Sequence, residues 1–224
     1  MAQLNLVLLG PPGAGKGTQA LRLSDDFGLQ YIGTGDMLRE AVSNGSELGK
    51  SAREYIQGGK LVPDELICKM IIERLEEGDP DAGFILDGFP RTQPQAEALN
   101  RELEHLGRSL TATLLFDVDE AEVLTRLSGR RVCVKSGHNY HVKYNKPKHE
   151  GRCDLDGSRL VQREDDQEDK VRTRLEEYRE KTEPLIGYYE EKGLLRKIDA
   201  SRSADEVRDQ IRATLAMARL EEQV

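Results

Sequence analysis

The stretch GPPGAGKGT, Gly10 to Thr18, directly follows the apolar run Leu4 to Leu9. A glycine-rich turn between a strand and a helix points several backbone N–H groups inward, and the helix N-terminus adds partial positive charge. Glycine lets such a backbone take left-handed angles and come close to phosphate oxygens. Lys16 then supplies a mobile point charge for the outer phosphates of a nucleoside triphosphate. In the general pattern G-x-x-x-x-G-K-[ST], Gly10, Gly15 and Lys16 match. Gly17 stands where serine or threonine is expected, and Thr18 follows one place later.

Holding a triphosphate does not say what is done to it. A switch GTPase reads guanine with Asn-Lys-x-Asp, and the nearest stretch, Asn145-Lys146-Pro147-Lys148, ends in the wrong residue. A motor or remodelling ATPase is normally larger than 224 residues. A small-molecule kinase needs a second phosphate site, marked by arginines outside the loop. DGFPRT, Asp87 to Thr92, follows the apolar run Phe84 to Leu86 and offers Asp87 for magnesium or its waters and Arg91 for a phosphate. Arg39 lies in GTGDMLRE, Arg126, Arg130 and Arg131 lie in TRLSGRR, and Arg163 and Arg174 come later. Phosphoryl transfer spreads charge over the equatorial oxygens, so its catalyst is largely a cage of cations.

These groups need a frame. Leu4–Leu9 reads as a buried strand and Thr18 to Phe27 as a helix, and further short apolar runs recur at Tyr31-Ile32, Phe84–Leu86, Thr113–Phe116 and Leu194–Ile198. Helix starts fall between them, at Pro63-Asp64-Glu65, at Thr92 before Pro94, and at Ser203-x-x-Glu206. The alternation predicts an α/β fold with a parallel sheet of about five strands covered by helices on both faces. The chain is 33% charged with three cysteines, which predicts a soluble protein of a reducing cytoplasm without a disulfide framework, membrane span or signal peptide. Its net charge of −8 argues against bulk nucleic-acid binding. Between Gly129 and Cys153, however, seven basic residues face one acid, a local +6 that suits an anionic ligand.

The motifs GPPGAGKGT, GTGDMLRE, GKLVPDE, LDGFPRT, GRRV and REDDQEDKVRTRL, in this order between Leu4 and about Leu215, resemble the adenylate kinase family in its long bacterial form. Members share Gly17 at the odd position of the loop. The resemblance implies magnesium-dependent, reversible transfer from ATP to AMP giving two ADP, which maintains adenine nucleotide balance, on a P-loop kinase core. It implies a core of 1–32, 63–128 and 167–224, an AMP-binding insertion at 33–62 and a lid at 129–166. Carried over by motif, Gly13, Ala14, Gly15, Lys16, Gly17 and Thr18 wrap the ATP phosphates, while Asn139, Tyr140 and Arg202 flank its base and ribose. Thr34, Arg39, Lys60, Leu61, Val62, Gly88, Phe89, Pro90, Arg91 and Gln95 hold AMP. Arg126, Arg130, Arg163 and Arg174 clamp the reacting phosphates, the first two from the ATP side and the last two from the AMP side. No general base is required, since positioning and charge do the work. The implied state is a monomer, with ATP and AMP as partners.

In many long members zinc ties the lid through two C-x-x-C knuckles. The matching positions here are Cys133, Ser136, Cys153 and Asp156. Serine is a poor zinc ligand, so His138 is the expected fourth ligand beside Cys133, Cys153 and Asp156. The alternative is a metal-free lid in which the same positions hydrogen-bond. Two rival functions stay open: a kinase for UMP, CMP or GMP, and a zinc-ribbon module in Cys133 to Asp156 that stacks nucleic-acid bases on Tyr140 and Tyr144.

Overall fold

The computed structural model describes residues 3–79 and 81–221. Its central sheet is parallel and five-stranded, in the order β2 (Gln30–Gly33), β3 (Phe84–Asp87), β1 (Asn5–Leu9), β4 (Ala112–Asp117), β8 (Leu195–Asp199). Central β1 is buried along its whole length because both faces are covered. Val7 and Leu9 face one core with Ile32, Phe84 and Leu86, while Leu6 and Leu8 face the other with Ile85, Leu114 and Phe116. This is the period-two alternation of a strand with two apolar sides. α4 (Asp64–Glu76) and α5 (Gln93–His105) contribute to the first core, and α1 (Lys16–Phe27) and α9 (Ala204–Glu221) to the second.

Register sets the chemistry in place. Leu8 and Gly33 both pair with Asp87, so β1, β2 and β3 end at one level, and their following loops open on the same edge. Those loops are the glycine-rich turn, Thr34 and the Gly88–Arg91 segment. In open α/β sheets the crevice outside the carboxyl ends is where ligands bind.

Helix α1 begins at Lys16, two residues before its expected start, because Gly15 at φ 94° supplies the left-handed turn that launches it. Thr92 caps α5 as expected, accepting from the Gln95 N–H at 3.3 Å. The capping box before α9 closes both ways: Ser203 N–H donates to Glu206 Oε2 at 3.0 Å, and Glu206 N–H to Ser203 Oγ at 3.4 Å. Ser203→Ala should therefore lower stability by about 1 kcal/mol. The measurement is a urea midpoint that falls with unchanged slope; an unmoved midpoint would show that α9 does not depend on this cap.

Between β2 and α4 the chain inserts α2 (Thr34–Ser43) and α3 (Glu47–Gly58). After α6 (Glu120–Gly129) it inserts a small antiparallel sheet, β6 (Asn139–His141), β5 (Arg130–Cys133), β7 (Leu160–Val161). Cys133, Tyr140 and Leu160 of this second sheet form a buried cluster of four with Cys153 from the segment between β6 and β7. α7 (Glu168–Glu177) returns the chain to the core, followed by α8 (Leu185–Glu191). No helix among the described residues is long and apolar enough to cross a membrane.

Candidate active site

The glycine-rich loop takes the conformation its composition demands, with Gly13 at φ 82° and Gly15 at φ 94°. Lys16 Nζ donates to the carbonyls of Gly10 at 2.7 Å and Pro11 at 2.8 Å, so its ammonium lies inside the curl of the loop. Burial lowers its pKa to about 8, while Asp87 pulls it back up. Gly17 leaves room for Asp87: a Cβ there would lie 3.1 Å from Asp87 Oδ2. That explains the departure from the general loop pattern, because the carboxylate occupies the space beside the first helical turn. Burial pushes the Asp87 carboxyl upward, with Lys16 and Arg91 opposing it. Thr18 is exposed beyond the loop.

Arg126, on α6, donates to Glu122 at 2.8 Å and reaches the Ala14 carbonyl at 3.4 Å. Arg130, at the start of β5, grips Asp166 with two bonds of 2.7 and 2.5 Å. Arg174, on α7, bonds Asp165 at 3.0 Å and Asp166 at 3.2 Å. Arg163 lies 3.9 Å from Asp36, which also accepts from Arg39 at 2.5 Å. Burial lowers the pKa of Arg91 and of Arg163, each to about 10, and neighbouring arginines add to the effect. Both remain cationic at neutral pH. The cage is thus a layer of guanidinium groups backed by carboxylates, which holds like charges together until an anion arrives.

Beside this cage lies an open cleft. Thr34, Arg39, Arg91, Gln95 and Arg174 supply polar lining, joined by Gly88. Leu38, Ile56, Val62 and Ile67 supply apolar walls, beside Lys60 and Leu61. Flat apolar walls with a few fixed polar groups suit a base and sugar, and the arginines at one end suit a phosphate. Arg91 is fixed from three sides: Nε donates to Gly88 O at 2.7 Å, its N–H to Gln95 Oε1 at 2.7 Å, and its carbonyl accepts from Thr182 at 2.9 Å. Gln95 is held in turn by Asp64 at 2.7 Å, and Thr34 by the Asp87 carbonyl at 3.1 Å.

Other expected residues lie apart from this cleft. Phe89 and Pro90 are buried, Phe89 in the main core. Tyr140 is buried in the small sheet, where its hydroxyl accepts from Asp154 N–H at 2.8 Å and meets Cys153 Sγ at 3.5 Å. Asn139 is exposed on β6, and Arg202 pairs with Asp199 at 2.8 Å. Four acids that no motif singled out also shape the site: Asp36, Asp165 and Asp166 pair with its arginines, and Asp64 accepts from Thr92 and Gln95. Of these pairings only Asp36 with Arg39, three residues apart, has a local sequence signal.

The three cysteines are free. Among the described residues, Cys133, Cys153 and Asp156 bring their ligand atoms within 4.8 Å of one another, a group that could hold a metal ion. His138 is exposed and is not part of the group. The turn closes before it, with Gly137 N–H donating to Cys133 O at 3.0 Å. Ser136 is nearer: its N–H donates to Cys133 Sγ at 3.4 Å, and its hydroxyl lies 3.7 Å from Cys153 Sγ.

Comparison with known proteins agrees with this arrangement. The adenylate kinase family model matches residues 8–194. An adenylate kinase of Archaeoglobus fulgidus is 50% identical over 212 residues, covering 95% of this chain and 98% of that protein. One of Shouchella clausii is 48% identical over 216 residues, covering 96% and 100%. One of Caldicellulosiruptor saccharolyticus is 52% identical over 192 residues, covering 86% and 89%. A family match over most of the chain, on a sheet whose aligned strand ends bring the loop, the cage and the cleft together, means that this chain belongs to the adenylate kinase family.

Proposed function

We propose that the glycine-rich loop holds ATP, the apolar cleft holds AMP, and the arginine cage between them carries the phosphoryl group across in either direction. The observation behind this reading is the juxtaposition of one triphosphate-type loop with a separate walled cleft, sharing Arg91 and Arg174 at their boundary. Lys16, Arg126 and Arg130 would neutralise the donor phosphates, and Arg39 and Arg91 the acceptor. Arg163 and Arg174 would exchange their carboxylate partners for the oxygens in flight. Thr34 and Gln95 would read the edge of adenine. In this reading 33–62 is the acceptor insertion and 129–166 a lid whose basic residues meet ATP on closure and exclude water. The protein would work as a cytoplasmic monomer.

Asp87, half-buried at the end of β3 beside Gly17, fits a role in holding magnesium through water. When bound there, the metal would supply charge neutralisation to the reacting phosphates. The decisive experiment is a coupled assay of ADP formation from ATP with AMP, CMP, UMP and GMP in parallel. Turnover with AMP at least tenfold above the others supports the reading, and a preference for another monophosphate overturns the acceptor assignment.

For the small sheet we infer structural zinc, held by Cys133, Cys153 and Asp156, with the Ser136 oxygen or a water completing the site in place of His138. Two thiolates and a carboxylate suit zinc, and a small sheet whose buried cluster holds only four residues gains from a staple. Protein purified without chelator should contain about one zinc per chain. Cys153→Ser should lose it and melt at least roughly 5 °C lower. Absence of metal together with indifference of the melting temperature to chelator would leave a hydrogen-bonded lid.

A further inference from the structure

Tyr31 lies on β2, upstream of the residues that line the cleft, and its ring folds back over Gly33. A Cβ at Gly33 would stand 2.3 Å from the Tyr31 hydroxyl and 2.7 Å from the ring carbon that bears it. Gly33 has φ −100°, which any residue adopts, so the backbone does not require glycine there. The missing side chain makes room for the phenol instead. In that position the hydroxyl lies 3.9 Å from where a Gly17 Cβ would be and donates to Asp36 Oδ2 at 3.3 Å.

The other oxygen of Asp36 accepts from Arg39 at 2.5 Å. Arg39 lies close over Gly35, where a Cβ would stand 3.2 Å from both terminal nitrogens. The carboxylate is largely exposed, with 58% of its side chain accessible, so its orientation rests on these contacts more than on packing. We propose that Tyr31 is a positioning residue for the acceptor site: its phenol pins Asp36, and Asp36 holds Arg39 against the AMP cleft. Gly33 belongs to the same device as the gap that admits the phenol. The inference rests on the assignment of Arg39 to AMP.

The test is calorimetric titration with AMP and, separately, with ATP, on full-length variants whose melting temperatures are checked first. Tyr31→Phe should weaken AMP by about 3- to 10-fold, the range of one hydrogen bond, and leave ATP within about twofold. Gly33→Ala should push the phenol aside and give the same selective loss. The double variant should be no weaker than the weaker single one, because both changes remove one contact. In an Asp36→Asn background, Tyr31→Phe should have little further effect. Wild-type AMP affinity in Tyr31→Phe, additive losses, or equal weakening of ATP and AMP would overturn the proposal. Arg39→Ala tests the underlying assignment by itself. Unchanged AMP binding there removes Arg39 from the site, whereas a loss there with no loss in Tyr31→Phe removes Tyr31 alone.

Discussion

Lys16→Met is expected to reduce turnover by at least about 10²- to 10³-fold, or roughly 3–4 kcal/mol of transition-state stabilisation, the scale of one preorganised donor. The ammonium rests on the carbonyls of Gly10 and Pro11, inside a loop whose Gly10, Gly13 and Gly15 take positive φ. Phosphate oxygens compete with those carbonyls, and the interaction strengthens as charge grows on the transferred group. Methionine keeps most of the stem volume, so the melting temperature should hold. A second readout comes from the lowered pKa of about 8. Above that pH the free enzyme loses the Lys16 proton, while bound phosphates favour the ammonium. ATP binding should therefore take up a proton increasingly between roughly pH 7 and 9. Calorimetry in buffers of different ionisation heat measures this, and Lys16→Met should abolish it. Turnover within a few-fold of wild type would sink the loop assignment.

What the sequence made legible follows the range of the interactions involved. Leu4 to Leu9 is readable as a strand because burial on both faces leaves no polar position, and its register partners show the same local signature at Phe84–Leu86. The Thr92 cap and the Ser203–Glu206 box involve residues three apart, and both form. The small sheet is opaque by the same measure. Its strands span two to four residues, carry Arg130 and Arg131 among few apolar positions, and draw order from contacts such as Cys133 with Asp156, 23 residues away. The cations of the site stand out in sequence because they recur in motifs. Their acids do not, since Arg130 meets Asp166 across 36 residues and Arg163 meets Asp36 across the whole middle of the chain. His138 was chemically attractive as a ligand, yet the hydrogen-bonded turn at Cys133–Gly137 brings Ser136 close and leaves His138 beyond it. Ligand chemistry is local to a residue, whereas ligand position depends on the turn.

Arg91→Ala is expected to weaken AMP binding by roughly 2–4 kcal/mol, about 30- to 1,000-fold, and to lower turnover, with a much smaller effect on ATP affinity. Three contacts, to Gly88, Gln95 and Thr182, fix Arg91 at the cleft that also holds Thr34 and Gln95. Two of them, the N–H to Gln95 and the carbonyl to Thr182, belong to the main chain and survive the substitution. The backbone should keep its course while the guanidinium vanishes. Burial makes the lost charge costly to replace by water, and Arg174 and Arg39 repel it, so the site gains most from Arg91 when a dianionic phosphate sits among all three. Truncation therefore removes stabilisation of the bound acceptor rather than of the folded protein. Separate titrations with AMP and ATP decide the matter. Loss of ATP binding with AMP binding retained would exchange the two sites in this reading, and equal loss of both would place Arg91 between them as a shared clamp.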